Sequence, residues 1–174
     1  MTFSLHAATI PPYLQILGSV ARLVDRAEAW CAETSTPAEE IIASRLIADM
    51  LPFTYQVKST AEHSIGAVQS VRDGFATPSV AMPPATFAEL RDKVAAARVD
   101  LAAVDPAEID GFVGKAVRFE FKEMKRDFTA ENFLIGYALP NFYFHAVTAY
   151  DLLRARGVRL GKRDFLGDLP ATSA

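Results

Sequence analysis

The side chains here that could transfer protons, attack a substrate or hold a metal are three histidines, one cysteine and a scatter of carboxylates. His145 stands out among them. It lies in "ALPNFYFHAVTAYDLLR", residues 138 to 154, a stretch that is apolar on nearly every side when wound as a helix. Tyr137, Asn141, His145 and Thr148 follow one another at steps of four, four and three. At 3.6 residues per turn those steps draw one narrow polar seam up an apolar helix. Such a seam can hold a small ligand or pass a proton. It can equally be a set of buried polar groups that hydrogen-bond within the core, because buried polar atoms need partners. Pro140 adds to the case for a pocket. It has no N–H, so the Gly136 carbonyl loses its helical donor, and kinks of this kind often lie beside an inserted side chain or water.

Other candidates are weaker. Asp49 and Gln56, at the start of the second long helix, can face the seam, and Glu62 could add an oxygen. On a continuous helical wheel His63 falls about 130° from the apolar stripe, which places it in solvent. His6 reaches a site on the last helix only if the first helix passes close. Cys31 sits on an apolar face and reads as a small core residue. The run "RARGVRLGKRDF" carries five basic residues, Arg154, Arg156, Arg159, Lys162 and Arg163. Positive charge at a helix C-terminus offsets the helix dipole, and an anion site is the alternative. Lys162 and Asp164 are candidates to pin the tail to the bundle or to a partner. No Gly-rich phosphate loop or nucleophile elbow is present.

Positioning these groups falls to the helices. Tyr13, Leu17, Val20, Val24, Ala27 and Cys31 recur at steps of three and four, which predicts a first helix from Ser4 or Thr9 to Glu33. "TPAEEIIASRL" predicts a short connecting helix with Thr36 as its cap and Pro37 in its first position. Asp49 then caps a second long helix running to about Gly74. After the proline-rich "TPSVAMPPAT", Thr86 and Glu89 form a capping box for a third helix with a bundle seam through Leu90, Val94, Ala97 and Leu101. Asp105 and Pro106 open a one-turn helix. In "KAVRFEFK" the period changes to two, and "MKRDF" supplies a return strand, a hairpin at about 115 to 128. The fourth long helix runs from Thr129 to before Gly157, and residues 157 to 174 form a tail. That tail is expected to be loop, fraying at its end. The whole is a single all-α domain over residues 1 to 174, a four-helix bundle with a small β-hairpin before the last long helix.

Composition narrows the function classes. The chain has 174 residues, 51% apolar and 22% charged, with net charge −3. This balance suits one globular domain with its own core. It offers no general attraction to nucleic acid or anionic membrane. One cysteine cannot form an internal disulfide and fits a reducing compartment. No run is long and apolar enough to span a membrane, and the start lacks the basic region of a signal peptide, so a cytoplasmic location is expected. The last helix is apolar beyond what a bundle core needs. That excess predicts a homodimer, the alternative being that the hairpin and tail cover it.

Three stretches carry a family resemblance: "FSLHAATIPPYLQILG", "ADMLPFTYQV" at residues 48 to 57, and the long motif "LPNFYFHAVTAYDLLRARGVRLGKRDFLG". Together they resemble an uncharacterised bacterial family, the domain of unknown function numbered nineteen ninety-three, in the DinB-like metalloprotein superfamily. The resemblance implies a DinB-like four-helix bundle, often dimeric. Some DinB-like relatives are metal-dependent enzymes, thiol-dependent transferases or an isomerase. Their metal sits on one helix 2 histidine and two histidines four residues apart on the last long helix. Here His145 matches the first of that pair and position 149 is alanine. The expected function is therefore small-ligand binding or a structural role without metal, around His145, Asn141, Tyr137, Asp49 and Gln56. The alternative is a metal-dependent enzyme, with zinc or nickel on His145.

Overall fold

The computed structural model describes residues 4–169. Helix α1 spans Leu5–Thr34, with Ser4 accepting from the Ala7 N–H as its cap. Pro11 and Pro12 lie inside it, within the first two turns. Its inward stripe, Tyr13, Leu17, Val20, Val24 and Ala27, is wholly buried. The connecting helix α2, Ala38–Ile42, is shorter than expected and starts at Pro37 without a side-chain cap. The Thr36 hydroxyl bonds to that of Thr34 instead.

The second long helix is broken. Helix α3 covers Phe53–Glu62 and α4 covers Ile65–Asp73. Between them Ser64 leaves helical geometry (φ −109°, ψ −93°). Its hydroxyl donates to the carbonyls of Thr60 and Ala61, a local side-chain bond that competes with the helix ladder. Asp49 caps nothing. Pro52 precedes the first residue of α3, and Asp49 lies exposed in the turn before it. Gly74 ends α4 in the left-handed region (φ +71°), where a glycine carries no Cβ penalty.

Strand β1, Phe75–Ala76, follows at once and pairs in parallel with β2, Ala116–Phe121. Strand β3, Met124–Thr129, returns antiparallel to β2, with Val117 opposite Phe128 and Phe119 opposite Arg126. The expected hairpin is thus the larger part of a three-stranded sheet ordered β1-β2-β3. The two-residue β1 is too short to show a period in sequence. Helix α5, Phe87–Ala102, carries the complete Thr86–Glu89 capping box, and α6, Pro106–Asp110, is capped by Asp105.

The last long rod has three parts: α7, Ala130–Phe133; one π-helical turn, Leu134–Ala138; and α8, Leu139–Ala155. The Leu139 N–H reaches back five residues to the Leu134 carbonyl. The wider turn lets Pro140 enter without breaking the rod, and such π-turns recur at functional sites. The inner stripe of α8, Phe142, Ala146, Ala149 and Leu153, is fully buried, and Phe142 meets Tyr13 edge-on at 4.9 Å. The tail also differs from expectation: it forms α9, Lys162–Leu166, which packs on α1 and sets Phe165 edge-on to Tyr150. Asp164 accepts from the Gly161 N–H and so starts α9. Helix α3 packs on α8 and α5, and α1 packs on α5 and α8. These contacts make the bundle that carries the site. Among the described residues no helix is long and apolar enough to cross a membrane.

Candidate functional site

Helix α3 is the central helix, and eight of its ten residues are buried. Four of those are Gln56, Lys58, Ser59 and Thr60, whose polar character argues for a water-facing side when only the sequence is read. Its face toward α8 carries Gln56, and its end carries His63. Gln56 Oε1 lies 2.7 Å from His145 Nδ1, and Gln56 Nε2 donates to the Leu51 carbonyl at 2.8 Å. The amide is therefore held with its oxygen toward the ring. An amide oxygen only accepts, so Nδ1 of the neutral ring carries the proton and Nε2 keeps its lone pair.

His63 stacks on His145, with ring centroids 5.3 Å apart and planes 13° from parallel. Tyr137 stands edge-on to His63 at 6.0 Å, and Tyr55 edge-on to His145 at 6.0 Å. Burial pushes both imidazoles down to about 4, and at His145 the neighbouring His63 adds to the effect. Both rings are thus neutral bases at pH 7. Burial raises the Tyr137 hydroxyl, and Tyr55 contributes to that shift.

On the far side of His63 lies a cleft of about 170 Å³. Its walls include Tyr55, Ser59, Glu62, His63, Phe119 and Tyr137. Phe133 stacks on Tyr137 at 5.3 Å and Phe119 lies 5.1 Å from it. The sheet therefore supplies one wall, and α3, the first turns of α4, the π-turn and residues 77–79 supply the others. Beneath Tyr55 runs Lys58, only 1% exposed, with Nζ 5.2 Å from the ring centroid and 3.1 Å from Glu62 Oε1. That separation is an ion pair, yet among the described residues no acceptor is aligned with Nζ for a hydrogen bond.

The family model described as "Domain of unknown function (DUF1993)" matches residues 5–166. The chain belongs to this family. The structure is similar to a crystal structure of a DinB family member protein from Shewanella denitrificans. The two share 27% identity and a TM-score of 0.82, over 98% of this chain and 96% of that one. The DUF1993 chain thus has the DinB-type helical fold. No curated protein matches it.

The DUF1993 seam divides in two. Asn141 Nδ2 donates to the Tyr137 carbonyl and Thr148 Oγ1 to the Phe144 carbonyl, each at 2.7 Å. These two serve the backbone of their own helix. Tyr137 and His145 face α3 and its neighbours, and Gln56 joins them. Asp49 does not; it stays in its exposed turn. His6 is far off in the fold, its N–H bonded to Asp110 on α6.

His63 is the main correction. The wheel placed it in solvent, whereas it lies half-buried on His145. The wheel failed because α3 has almost no water-facing side and because the chain leaves helical geometry just after His63. Tyr55, Ser59 and Glu62, at i, i+4 and i+7, were a readable signal of a second polar-aromatic face. Among the described residues no three His, Cys, Asp or Glu side chains gather as a metal site. A catalytic zinc centre takes three protein ligands. Position 149, where the resemblance implies the third, is a buried alanine in the core. Two imidazoles do not fit that ligand set.

A substitution probes the His145 partner. Gln56→Glu places a carboxylate against Nδ1, and an opposite charge at this distance favours the imidazolium. The His145 titration midpoint, followed by the ring Cε1–H resonance, is expected to move up from about 4. An unmoved midpoint contradicts the Gln56 contact.

Proposed function

We propose that this DUF1993 protein binds a small organic molecule in the cleft beside His63, without a catalytic metal. The observation that carries the reading is the His63–His145 stack, half-buried and uncharged, with one ring open to a cleft walled by aromatic rings. Ligand sites are concave and mostly apolar, with a few placed polar groups. Here the polar groups are Glu62 and His63 with the hydroxyls of Ser59, Ser70, Thr77 and Ser79, and His145, bonded to Gln56, stacks on His63 from behind. A cytoplasmic homodimer belongs to the same reading. Ile135, Phe144 and Val147 remain exposed on the last rod, and a second copy would cover them.

The second reading is a divergent metal-dependent enzyme with His145 as a ligand. His63 beside His145 favours it, and the missing third donor weighs against it. Elemental analysis of protein purified without chelator separates the two. Stoichiometric zinc or nickel, lost in His145→Ala, would overturn the metal-free reading. For binding, the whole chain is screened by thermal shift against neutral small fragments, beside a Gly66→Leu variant. Gly66 lines the cleft, and a Cβ there meets nothing nearer than 4.0 Å, so the added side chain narrows the cleft without a clash at its base. Fragments that stabilise wild type and not Gly66→Leu support the site. Equal stabilisation of both chains contradicts it.

A further inference from the structure

The cleft beside His63 has enough chemistry to define a ligand class, given the reading that it binds a small molecule. Size comes first. A cavity of about 150 Å³ lined by apolar side chains takes up benzene, and this cleft measures about 170 Å³. One six-membered ring fits. The walls come second. Tyr137 is already in ring contact with Phe133 at 5.3 Å, Phe119 at 5.1 Å and His63 at 6.0 Å. A further flat ring extends that cluster with offset or edge contacts, which add to area burial.

Charge comes third and favours a neutral ligand. A cationic ligand gains little from Glu62, because the Lys58 ammonium already pairs with that carboxylate at 3.1 Å. An anionic ligand would meet the Glu62 carboxylate at the cleft wall. Hydrogen bonding comes last. A carboxylate only accepts, at about four lone-pair sites, and Lys58 approaches Oε1 alone. The ligand must bring a donor.

We propose that the cleft takes a neutral single-ring phenol, its ring against Tyr137 and Phe119 and its hydroxyl donated to the Glu62 carboxylate beside His63. Each part of the molecule then has a counterpart: the ring in the aromatic walls, the O–H in the acceptor. A hydrogen bond to a charged acceptor is worth roughly tenfold or more in affinity, so the hydroxyl discriminates strongly against the bare ring.

The test is a titration of the full chain at pH 7 with phenol, toluene, cyclohexanol and benzoate, read by the His63 ring resonances and by calorimetry. Phenol is expected to shift those resonances. Toluene, lacking the donor, and cyclohexanol, lacking the flat ring, are expected to bind at least about tenfold more weakly. Benzoate is expected to bind more weakly than phenol. In Gly66→Leu the phenol signal is expected to vanish, and this variant guards against misfolding in any direct change to His63 or Tyr137. Toluene or cyclohexanol binding as tightly as phenol overturns the phenol class. So does phenol binding that survives Gly66→Leu. If other neutral fragments move the His63 resonances and phenol does not, the ligand class falls while the small-molecule site stands. Silence from every compound removes both.

Discussion

Acidifying from pH 7 to pH 4 is expected to cost the native state up to roughly 3 kcal/mol for each of His63 and His145. A free histidine titrates near 6.5, whereas these two are held down at about 4 by burial. Between those values the unfolded chain binds protons that the folded chain refuses, so stability falls as pH falls. Above about 6.5 both states are neutral and the pair adds no slope. Below about 4 both are protonated and the slope vanishes again. The rings face one another, so their two losses are coupled and less than additive. Many carboxylates titrate in the same range, and comparison with His63→Gln cancels them. Urea unfolding at half-unit steps is expected to show the wild-type slope near pH 5 exceeding that of the variant by roughly 1 kcal/mol per pH unit. Superimposable slopes would show that His63 is not buried against His145.

The next largest effect is expected at Lys58. Its side chain is 1% exposed and, among the described residues, its opposite charge is Glu62 alone, 25% exposed, at 3.1 Å. Removing one member of such a pair leaves a buried charge without compensation, which typically destabilises by about 3–5 kcal/mol. Glu62 is partly solvated, so Glu62→Ala is expected near the lower end, about 3 kcal/mol. Lys58→Met in that background deletes the stranded charge and keeps the apolar stem. The double variant is therefore expected to be more stable than Glu62→Ala alone. Denaturant melts of the four chains in this cycle give the coupling directly. A double variant that is less stable than the single one would show that Lys58 has other partners.

How much of this was legible follows from where periodicity speaks and where it does not. The inner stripes of α1 and α5 were readable because each helix meets water on one side, so the 3.6-residue period survives in the sequence. The hairpin was readable because Val117, Phe119 and Phe121 alternate with charged residues. Helix α3 hid its role because Gln56, Lys58, Ser59 and Thr60 are polar and still buried. Burial there is set by the surrounding helices, which a wheel does not contain. The break at Ser64 was also hidden: neither Gly nor Pro marks it, only a serine hydroxyl bonding back to its own helix. At the site, the sequence grouped Gln56 and Asp49 alike with His145, and the fold brings only Gln56 to it, whereas His63 needed the fold altogether. Pro140 did mark a backbone irregularity, and its form is a π-turn within a continuous rod.

The central claim is that His63 and His145 form a neutral pair whose His63 face opens to a ligand. Long-range ¹H–¹⁵N spectra of the histidine rings at pH 7, recorded with and without the neutral fragment set, test it most directly. Both rings are expected to be neutral, with His145 protonated at Nδ1 and the His63 resonances moving as a fragment binds. A charged ring at pH 7, or His63 resonances that no fragment moves, would contradict it.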